Sequence, residues 1–417
     1  MFTNHICAVD ISSSKIAAVI AEVKGRRIDR LFFDTAPSRG IEHGSIVNSV
    51  DLTGALSAFL KNLKAKSGIN IKFIYTNICG QDIITKHSRA VIPLAERGNK
   101  VITPSDIERV NEQARILGSS LEEEVIHSLP FSYSIDSKDN IANPLGLYSH
   151  RLESDLYLIC AKLPAVQTFN RVVSQSGYEI RDLFFSGLAT ASAVMGRDFK
   201  EGINVLCDIG SDITELLVFK DGAPRNIEIL PFGGSDLTLQ LAEVLNIPGD
   251  LAEDVKKSYA SVGDYIQIKE DKEIMIKRND VYKNIKQKVV CEIATSGARL
   301  ICQDIKSSLE RFVARDEINN FVAVGRSVVL EGFLEALEST LEVPVKLGRV
   351  VHPDLISLIN KYDVISGQKY LTYTTALGIV CQAMEEHPPR IIPFPHPSRN
   401  LILKAINKVK EVYQEYF

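Results

Sequence analysis

The feature that most constrains this chain is a strand–turn–strand device that occurs twice, with the two copies about 200 residues apart. In the first copy an apolar run ends in Asp10, and a small-residue turn leads to a second apolar run at residues 16–23. In the second copy an apolar run ends in Asp208, and a turn that contains Gly210 leads to a run at residues 214–219. This duplication predicts two similar lobes that face one nucleotide, each holding its phosphates with one hairpin.

The chemistry of the repeated turn supports the same interpretation. Backbone N–H groups in a small-residue turn bind anions, and an aspartate at the strand end holds a cation through water. The alternative is an ordinary hairpin with a surface carboxylate at its turn. One copy alone would not decide between the two, but a duplicated device is harder to obtain by chance.

Composition sets wider limits. A chain of 417 residues is too long for one ordinary core, so two or more domains are expected. The net charge of −4 gives no reason to propose a nucleic acid partner. No apolar run is long enough to span a membrane, and Asp10 interrupts the first apolar stretch, so neither a transmembrane helix nor a signal peptide is predicted and the protein should stay in the cytoplasm.

The cysteines and histidines suggest no metal or disulfide framework. Cys7, Cys160 and Cys207 lie inside apolar strand runs, where cysteine acts as a small hydrophobic residue. No pair has the spacing of metal ligands, and the eight histidines form no recognisable cluster. We therefore expect no structural zinc and no disulfides.

Hydrophobic periodicity predicts the main elements. Residues 51–66 carry apolar side chains at helical spacing, and Thr103 followed by Pro104 is a typical helix start. Residues 81–162 break the α/β rhythm and predict a compact α+β insertion. Other expectations are strands at 122–130, 132–135 and 156–163, an exposed hairpin at 264–280, and helices at 282–312 and 329–341.

Several further segments carry a family resemblance that runs over nearly the whole chain. They are RGIEHGSIVN at residues 39–48, NPLGL at 143–147, DLFFSGLATASAV at 182–194, the glycine pair at 233–234, AEDVK at 252–256, and residues 373–380. With the two hairpins, their order and spacing resemble the group of ATPases that includes actin, heat-shock chaperones and sugar kinases. Within that group the chain is similar to the bacterial cell-division family FtsA.

The resemblance implies an α/β, actin-like two-lobed fold of duplicated ribonuclease H-like domains with an FtsA-type 1C subdomain insertion. It also implies subdomain boundaries. These are 1–82 and 163–198 for 1A, 83–162 for 1C, 199–236 and 320–386 for 2A, 237–319 for 2B, 387–399 for a proline-rich linker, and 400–417 for an amphipathic membrane helix.

By the same resemblance, Asp10 and Asp208 face Mg²⁺ through water, and ATP lies between the hairpins. The alternatives are turn or cap carboxylates for the two aspartates, a solvated turn residue for Lys15, and a solvated helical charge pair for Glu253 and Lys256. The implied ATP-binding residues are Ser12, Ser13, Ser14, Lys15, Gly210, Ser211, Asp212, Thr214, Gly233, Gly234, Glu253, Lys256, Gly325 and Arg326.

Three positions depart from the family pattern of glycines. Ser12, Asp212 and Arg326 stand where the family usually has glycine. The Asp212 carboxylate would approach phosphate oxygens, at a repulsion on the order of a kcal/mol unless Mg²⁺ or Lys15 offsets it. Arg326 could stack on adenine or block it. These departures predict a scaffold that binds ATP weakly or not at all, and at most a weak ATPase.

The end of the chain predicts a tethered amphipathic helix. Residues 387–397 contain five prolines and should be extended. Beyond them, an apolar stripe flanked by lysines is typical of a helix that lies in a membrane interface. The alternative is a helix packed on its own domain or in a partner's groove; the resemblance favours the membrane. The stripe consists of Leu401, Ile402, Ile406, Val409, Tyr413, Tyr416 and Phe417.

A basic region in the implied subdomain 2B includes Lys286, Lys288 and Arg299. A solvated face is its default interpretation; the resemblance implies that it docks the C-terminal tail of FtsZ. The resemblance also implies self-assembly into a homopolymer, contacts with other divisome proteins, binding to anionic lipid, and a peripheral location on the cytoplasmic face of the membrane at the septum. Two other hypotheses are a PilM-like adaptor of pilus assembly, which would not need the terminal helix, and a sugar kinase, for which no segment offers a catalytic aspartate.

Overall fold

The structure is a computed structural model that describes residues 4–386, except residues 26, 96–97, 137, 197–198, 200, 264–271, 279–280, 360 and 363–364. The predicted linker and the predicted membrane helix at residues 387–417 lie outside the described residues.

The first part of the chain builds strands and one amphipathic helix. The predicted helix is confirmed: Asn48 caps it by accepting from the N–H groups of Val50 and Asp51, and its apolar face is buried. The elements in chain order are β1 (Asn4–Ile11), β2 (Lys15–Lys24), β3 (Arg27–Pro37), β4 (Ile41–Glu42), β5 (Ser45–Ile46), α1 (Ser49–Ser67) and β6 (Phe73–Ile78).

The predicted insertion forms its own small layer. Its elements are β7 (Ile83–Pro93), β8 (Lys100–Val101), α2 (Pro104–Gly118), β9 (Glu123–Ile135), β10 (Lys138–Ile141), β11 (Tyr148–Ser149) and β12 (Arg151–Lys162). The sheet order is β10-β9-β12-β7, and α2 packs on it around a separate core. Thr103 and Asp106 cap α2 reciprocally, which confirms the predicted start.

Two strand boundaries in the insertion were wrong. Two strands were predicted where β9 runs unbroken through Pro130, and β12 begins at Arg151 rather than at residue 156. The register shifts here, because Pro130 pairs with Leu156 while Ser132 pairs with Asp155. The extra residue makes a β-bulge, which is a place where a strand tolerates proline.

The rest of the chain returns to the first sheet and then builds the second lobe. The elements are α3 (Leu163–Gln175), β13 (Glu179–Phe185), α4 (Ser186–Val194), β14 (Ile203–Ile209), β15 (Thr214–Lys220), β16 (Ala223–Leu230), α5 (Gly234–Leu245), α6 (Gly249–Tyr259), β17 (Glu273–Arg278), β18 (Val281–Lys286), α7 (Gln287–Leu309), β19 (Ile318–Val324), α8 (Phe333–Leu341), β20 (Val345–Leu347), α9 (Pro353–Ile359) and α10 (Thr374–Glu386).

The two large sheets have the same topology, which confirms the predicted duplication. In the first lobe the order is β3-β2-β1-β6-β13, and in the second it is β16-β15-β14-β19-β20. In each sheet the first three strands in this order pair antiparallel. The fourth strand pairs parallel with the third, and the fifth pairs parallel with the fourth. The fold is therefore the two-lobed α/β architecture expected from the sequence.

Helices α4 and α10 cross in the middle of the molecule and contribute to a core that both lobes share. Their backbones approach closely where Gly378 of α10 meets Ala189 of α4. A Cβ atom added at Gly378 would lie 1.6 Å from the carbonyl oxygen of Ala189. Only glycine fits at this crossing.

Two predictions in the second lobe were wrong, and one helix was not predicted. The strand pair in the region of residues 264–286 is β17 with β18, so the residues 282–286 that were assigned to a helix form a strand. The helix predicted at 329–341 begins only at Phe333, because Gly332 has φ 79°, which a helix excludes. Helix α9 was not predicted; Asp354 at its start accepts from the N–H of Ile28 in β3.

All seven cysteines are unpaired and buried. Cys7, Cys160 and Cys207 lie within β1, β12 and β14, as their apolar surroundings predicted. Burial raises the pKa of the Cys7 and Cys302 thiols to about 12. In the described part of the chain, no helix is both long enough and apolar enough to cross a membrane.

Candidate functional site

A cleft of about 1380 Å³ separates the two lobes, and both Asp10 and Asp208 line it. The turn after each aspartate also lines the cleft, so the two hairpins face each other across a common gap. The predicted residues found on its walls are Ser12, Ser13, Ser14, Lys15, Gly210, Ser211, Asp212, Gly234, Glu253, Lys256, Gly325 and Arg326. Thr214 and Gly233 lie behind the wall, where the Thr214 hydroxyl donates to the carbonyl of Phe232 at 2.9 Å.

The first hairpin presents a nearly buried ion pair. The Lys15 ammonium lies 2.6 Å from Oδ2 of Asp10, and it also donates to the carbonyl oxygen of Thr372 at 2.6 Å. Asn77 fixes the other side of this carboxylate by donating to Asp10 Oδ1 at 3.0 Å. Because Thr372 belongs to the segment before α10, Lys15 also ties the first hairpin to the second half of the chain.

The second hairpin presents two carboxyl groups. Asp208 accepts from the Thr190 hydroxyl at 3.1 Å, and its cross-strand partner in β15 is Glu215. Burial raises the pKa of Asp208 to about 6, although Lys15 and the Thr190 hydrogen bond oppose the shift. Glu215 is only 4% exposed, and burial, then Asp208 and Asp10, raise its pKa well above the ordinary range.

These shifts predict that Asp208 destabilises the ligand-free fold at neutral pH. A carboxyl whose pKa is 3.8 unfolded and about 6 folded binds more protons in the folded state between these two values, so stability should fall as pH rises from about 4 to about 6 and should level off above that. Since the carboxyl borders the water-filled cleft, we expect Asp208→Asn to stabilise the protein by about 1–2 kcal/mol at pH 7.5. Urea denaturation without nucleotide or divalent cations would measure it; the gain should shrink to about a third at pH 4.5, and an equal gain at both pH values would contradict the assignment.

The loops of the second lobe pack tightly behind its hairpin. Ser327 donates from its hydroxyl to the carbonyl oxygen of Gly210 at 2.7 Å, and the N–H of Gly234 donates to the same oxygen at 3.0 Å. Gly325 has φ 94°, and a Cβ atom there would lie 2.2 Å from the carbonyl oxygen of Ile209. The N–H of Ser235 donates to the Ser211 carbonyl. The first amides of α5 therefore hold the hairpin in place and are already engaged within the protein.

At the far end of the cleft, Glu253 and Lys256 are bonded to each other. The Lys256 ammonium lies 2.6 Å from Oε2 of Glu253 and donates to the Thr238 hydroxyl and the Gly234 carbonyl. Burial raises the pKa of Glu253, but the hydrogen bonds from Lys256 and Thr238 outweigh it and lower the pKa to about 2. Arg326 lines the same end. Lys256 and Glu253 already have hydrogen-bond partners within the protein, so a ligand that used either group would have to displace one of them.

The carboxyl groups fit a hydrated cation better than a directly coordinated one. Among the described residues no three His, Cys, Asp or Glu side chains lie close enough to hold a metal ion between them. Oε1 of Glu215 is nevertheless buried without a hydrogen-bond partner. Asp10, Asp208 and Glu215 also outnumber Lys15, whose ammonium lies 2.6 Å from Asp10. A divalent cation with its own water shell would relieve both imbalances.

Several residues of the cleft were not predicted. Glu215 could have been found, because a lone glutamate in the apolar run of β15 falls opposite Asp208 in an antiparallel hairpin; the equivalent partner of Asp10 is Ala17. Asn77 and Thr190 gave no local signal, because they reach the aspartates only through tertiary packing. His43 was noted as part of a motif but was given no role.

The three predicted partner residues lie away from the cleft. Lys286 ends β18, and Lys288 and Arg299 lie on α7. The last two are 11 positions apart, which is about three helical turns, so both lie on one exposed face of α7, together with the exposed Glu292.

Comparisons with known proteins agree with this architecture. A family model described as "SHS2 domain inserted in FTSA" matches residues 80–160, which contain the four-stranded sheet and α2, and one described as "Cell division protein FtsA" matches residues 205–378. The curated cell division protein FtsA of Pseudomonas aeruginosa is 26% identical over 346 residues, which cover 82% of this chain and 82% of that protein.

Solved structures show the same fold. A chain of the PilM-PilN type IV pilus biogenesis complex has a TM-score of 0.63 at 16% identity, covering 90% of this chain and 98% of that chain. MreB5 of Spiroplasma citri bound to ADP has a TM-score of 0.53 at 10% identity, covering 92% of this chain and 97% of that chain. At these identities the likeness concerns the fold alone.

Proposed function

Because this chain belongs to the FtsA family of cell-division proteins, we propose that it is an actin-like filament-forming protein that links FtsZ polymers to the membrane at the division site. The observation that carries the proposal is the pair of equivalent hairpins facing one cleft, in a chain that also has the FtsA-type insertion. The likeness to PilM concerns the fold, whereas the matched insertion favours the cell-division role over a PilM-like adaptor.

We place an adenine nucleotide in the cleft. Its phosphates would lie between Ser12–Ser14 and Gly210–Asp212, and its adenosine toward Lys256 and Arg326. Magnesium, when bound, would neutralise phosphate charge, and Asp10, Asp208 and Glu215 would hold its water ligands. The Asp212 carboxylate and the Glu253–Lys256 ion pair both work against tight nucleotide binding. The nucleotide would therefore regulate assembly, and would not serve metabolism.

The remaining functions are assigned to surfaces outside the cleft. The proline-rich residues 387–399 would tether the amphipathic segment 400–417 to the cytoplasmic face of the membrane. The basic surface with Lys286, Lys288 and Arg299 would receive the acidic C-terminal tail of FtsZ. Copies of the chain would assemble into a filament and contact other divisome proteins.

Sedimentation with anionic liposomes tests the proposal. We expect the full chain to pellet with the vesicles and to carry FtsZ with it, and a chain that ends at Arg399 to leave both in the supernatant. A point variant on the apolar stripe, Ile406→Asp, should weaken binding about tenfold or more, because a charge replaces a buried aliphatic side chain. The matched control Asn407→Asp adds the same charge one residue away, off the stripe, and should bind more tightly than Ile406→Asp.

Equal binding by the full and shortened chains would remove the membrane role. Equal weakening by Ile406→Asp and Asn407→Asp would mean that net charge, and not an apolar face, governs binding. If the full chain pellets with vesicles but leaves FtsZ behind, the membrane role stands and the FtsZ link fails.

A further inference from the structure

The short hairpin of β4 and β5 crosses the mouth of the cleft. Ile41 pairs with Ile46 and Glu42 with Ser45, so His43 and Gly44 form a two-residue turn. Both turn residues have positive φ, 47° for His43 and 76° for Gly44, as a type I′ turn requires. The turn therefore projects His43 in one defined direction.

The hairpin is anchored on the first lobe through Gly44 and Ser45. A Cβ atom added at Gly44 would lie 2.6 Å from the Cα of Gly80, so the two backbones are in contact. The Ser45 hydroxyl donates to Asp82 at 3.0 Å, and the N–H of Gly44 donates to the Ser13 hydroxyl at 3.3 Å. The hairpin is thus fixed to the first phosphate-facing turn.

The tip of the hairpin reaches the opposite lobe. Nδ1 of His43 lies 3.0 Å from the carbonyl oxygen of Asp212, and since a carbonyl only accepts, Nδ1 carries the proton. The His43 N–H also points at Oδ2 of Asp212, at 3.4 Å. The Asp212 carboxylate, which stands where the family usually has glycine, therefore points toward the hairpin of β4 and β5 on the first lobe.

We infer that His43 is a positioning residue that straps the second phosphate turn to the first lobe through Asp212. Two further contacts between the lobes, Thr190 to Asp208 and Lys15 to Thr372, lie on more buried side chains, whereas His43 is exposed. Opening the cleft enough to release a nucleotide must separate His43 from Asp212. The strap then slows the release of nucleotide from the site proposed above, on which this inference rests.

Two substitutions at residue 43 separate the hydrogen bond from the backbone. His43→Gly removes the ring donor and tolerates positive φ, so the turn is not strained. His43→Asn also tolerates positive φ, and its amide nitrogen stands at the same number of bonds from Cα as Nδ1 of histidine, so the donor is kept. Alanine would be a poor choice, because it has no polar side chain to stabilise positive φ as asparagine does.

Release of a fluorescent N-methylanthraniloyl-ATP, chased with excess ATP and MgCl₂, measures the strap in the full chain. For the loss of one hydrogen bond we expect about threefold to tenfold faster release from His43→Gly, with the wild-type rate returning in His43→Asn. A second readout needs no nucleotide. Amide hydrogen exchange in the peptides that contain residues 40–46 and 209–214 should also be faster in His43→Gly and should return toward the wild-type rate in His43→Asn.

The two readouts separate this inference from the proposed function. Equal exchange in His43→Gly, His43→Asn and wild type would overturn the strap, whatever the release rates. Faster amide hydrogen exchange in His43→Gly but not in His43→Asn would uphold the strap. If neither variant nor the wild type bound the ATP analogue, the nucleotide site would be overturned while the strap stands. Faster release from both variants would also overturn the strap, because the donor would then be irrelevant.

Discussion

Gly378→Ala should destabilise the protein by about 3 kcal/mol, one of the largest effects expected of any single methyl group here. Its Cβ would lie 1.6 Å from the carbonyl oxygen of Ala189 and 2.4 Å from the carbonyl carbon, so α10 and α4 must move apart. Helix propensity alone predicts the opposite sign, because alanine is favoured over glycine in a helix interior by about 1 kcal/mol. Denaturant unfolding followed by circular dichroism would measure the change.

Gly54→Ala is the matched control. Gly54 also lies within a helix, α1, but nothing lies within 4 Å of an added Cβ. Propensity should therefore act unopposed there and raise stability by about 0.5–1 kcal/mol. If the two substitutions shifted stability in the same direction, the close crossing of α4 and α10 would be contradicted.

Lys15→Met should cause a comparable loss, about 3 kcal/mol at pH 7.5, because it leaves a buried carboxylate without its partner. Lys15 and Asp10 are 13% and 4% exposed and lie 2.6 Å apart, and Asp208 and Glu215 lie in the same cleft. Methionine keeps much of the side-chain volume, so the change isolates the charge. We also expect ATP affinity to fall more than tenfold, since one cation near the phosphates is removed.

Two further variants make the result interpretable. Asp10→Asn combined with Lys15→Met should recover most of the lost stability, because the uncompensated charge is gone. Lys24→Met is the surface control, since Lys24 pairs with Asp29 at a similar 2.7 Å but both side chains are nearly half exposed; its unfolding midpoint should stay at the wild-type value. A loss at Lys24 equal to that at Lys15 would mean that burial is not the cause.

The duplicated hairpins were predictable because their signals are local. An apolar run that ends in aspartate and a small-residue turn can be recognised without knowing what packs on it, and two copies imply two equivalent sheets. The helix predicted at residues 51–66 is confirmed as α1 for the same reason. Its apolar spacing lies within the segment, and its cap, Asn48, lies directly before the helix.

The errors lie in segments whose secondary structure is decided by tertiary contacts. Residues 281–286 carry a pattern that fits a helix as well as a strand, and pairing with β17 selects the strand. Gly332 delays the start of the helix predicted at 329–341, because its backbone has positive φ and approaches Val262. The contact of Asp212 with His43 joins residues 169 positions apart, so the sequence showed only an unexpected charge in a turn.

Buried cysteines give this molecule a practical property. Each native sulfur is shielded, and those of Cys7, Cys302 and Cys381 stay protonated because burial raises their pKa to about 12. A maleimide dye should therefore react first with an engineered cysteine on the surface. Lys66→Cys on α1 and Lys257→Cys on α6 replace side chains that are 58% and 51% exposed, one on each lobe. Energy transfer between dyes at these positions would follow lobe motion without first removing any native cysteine.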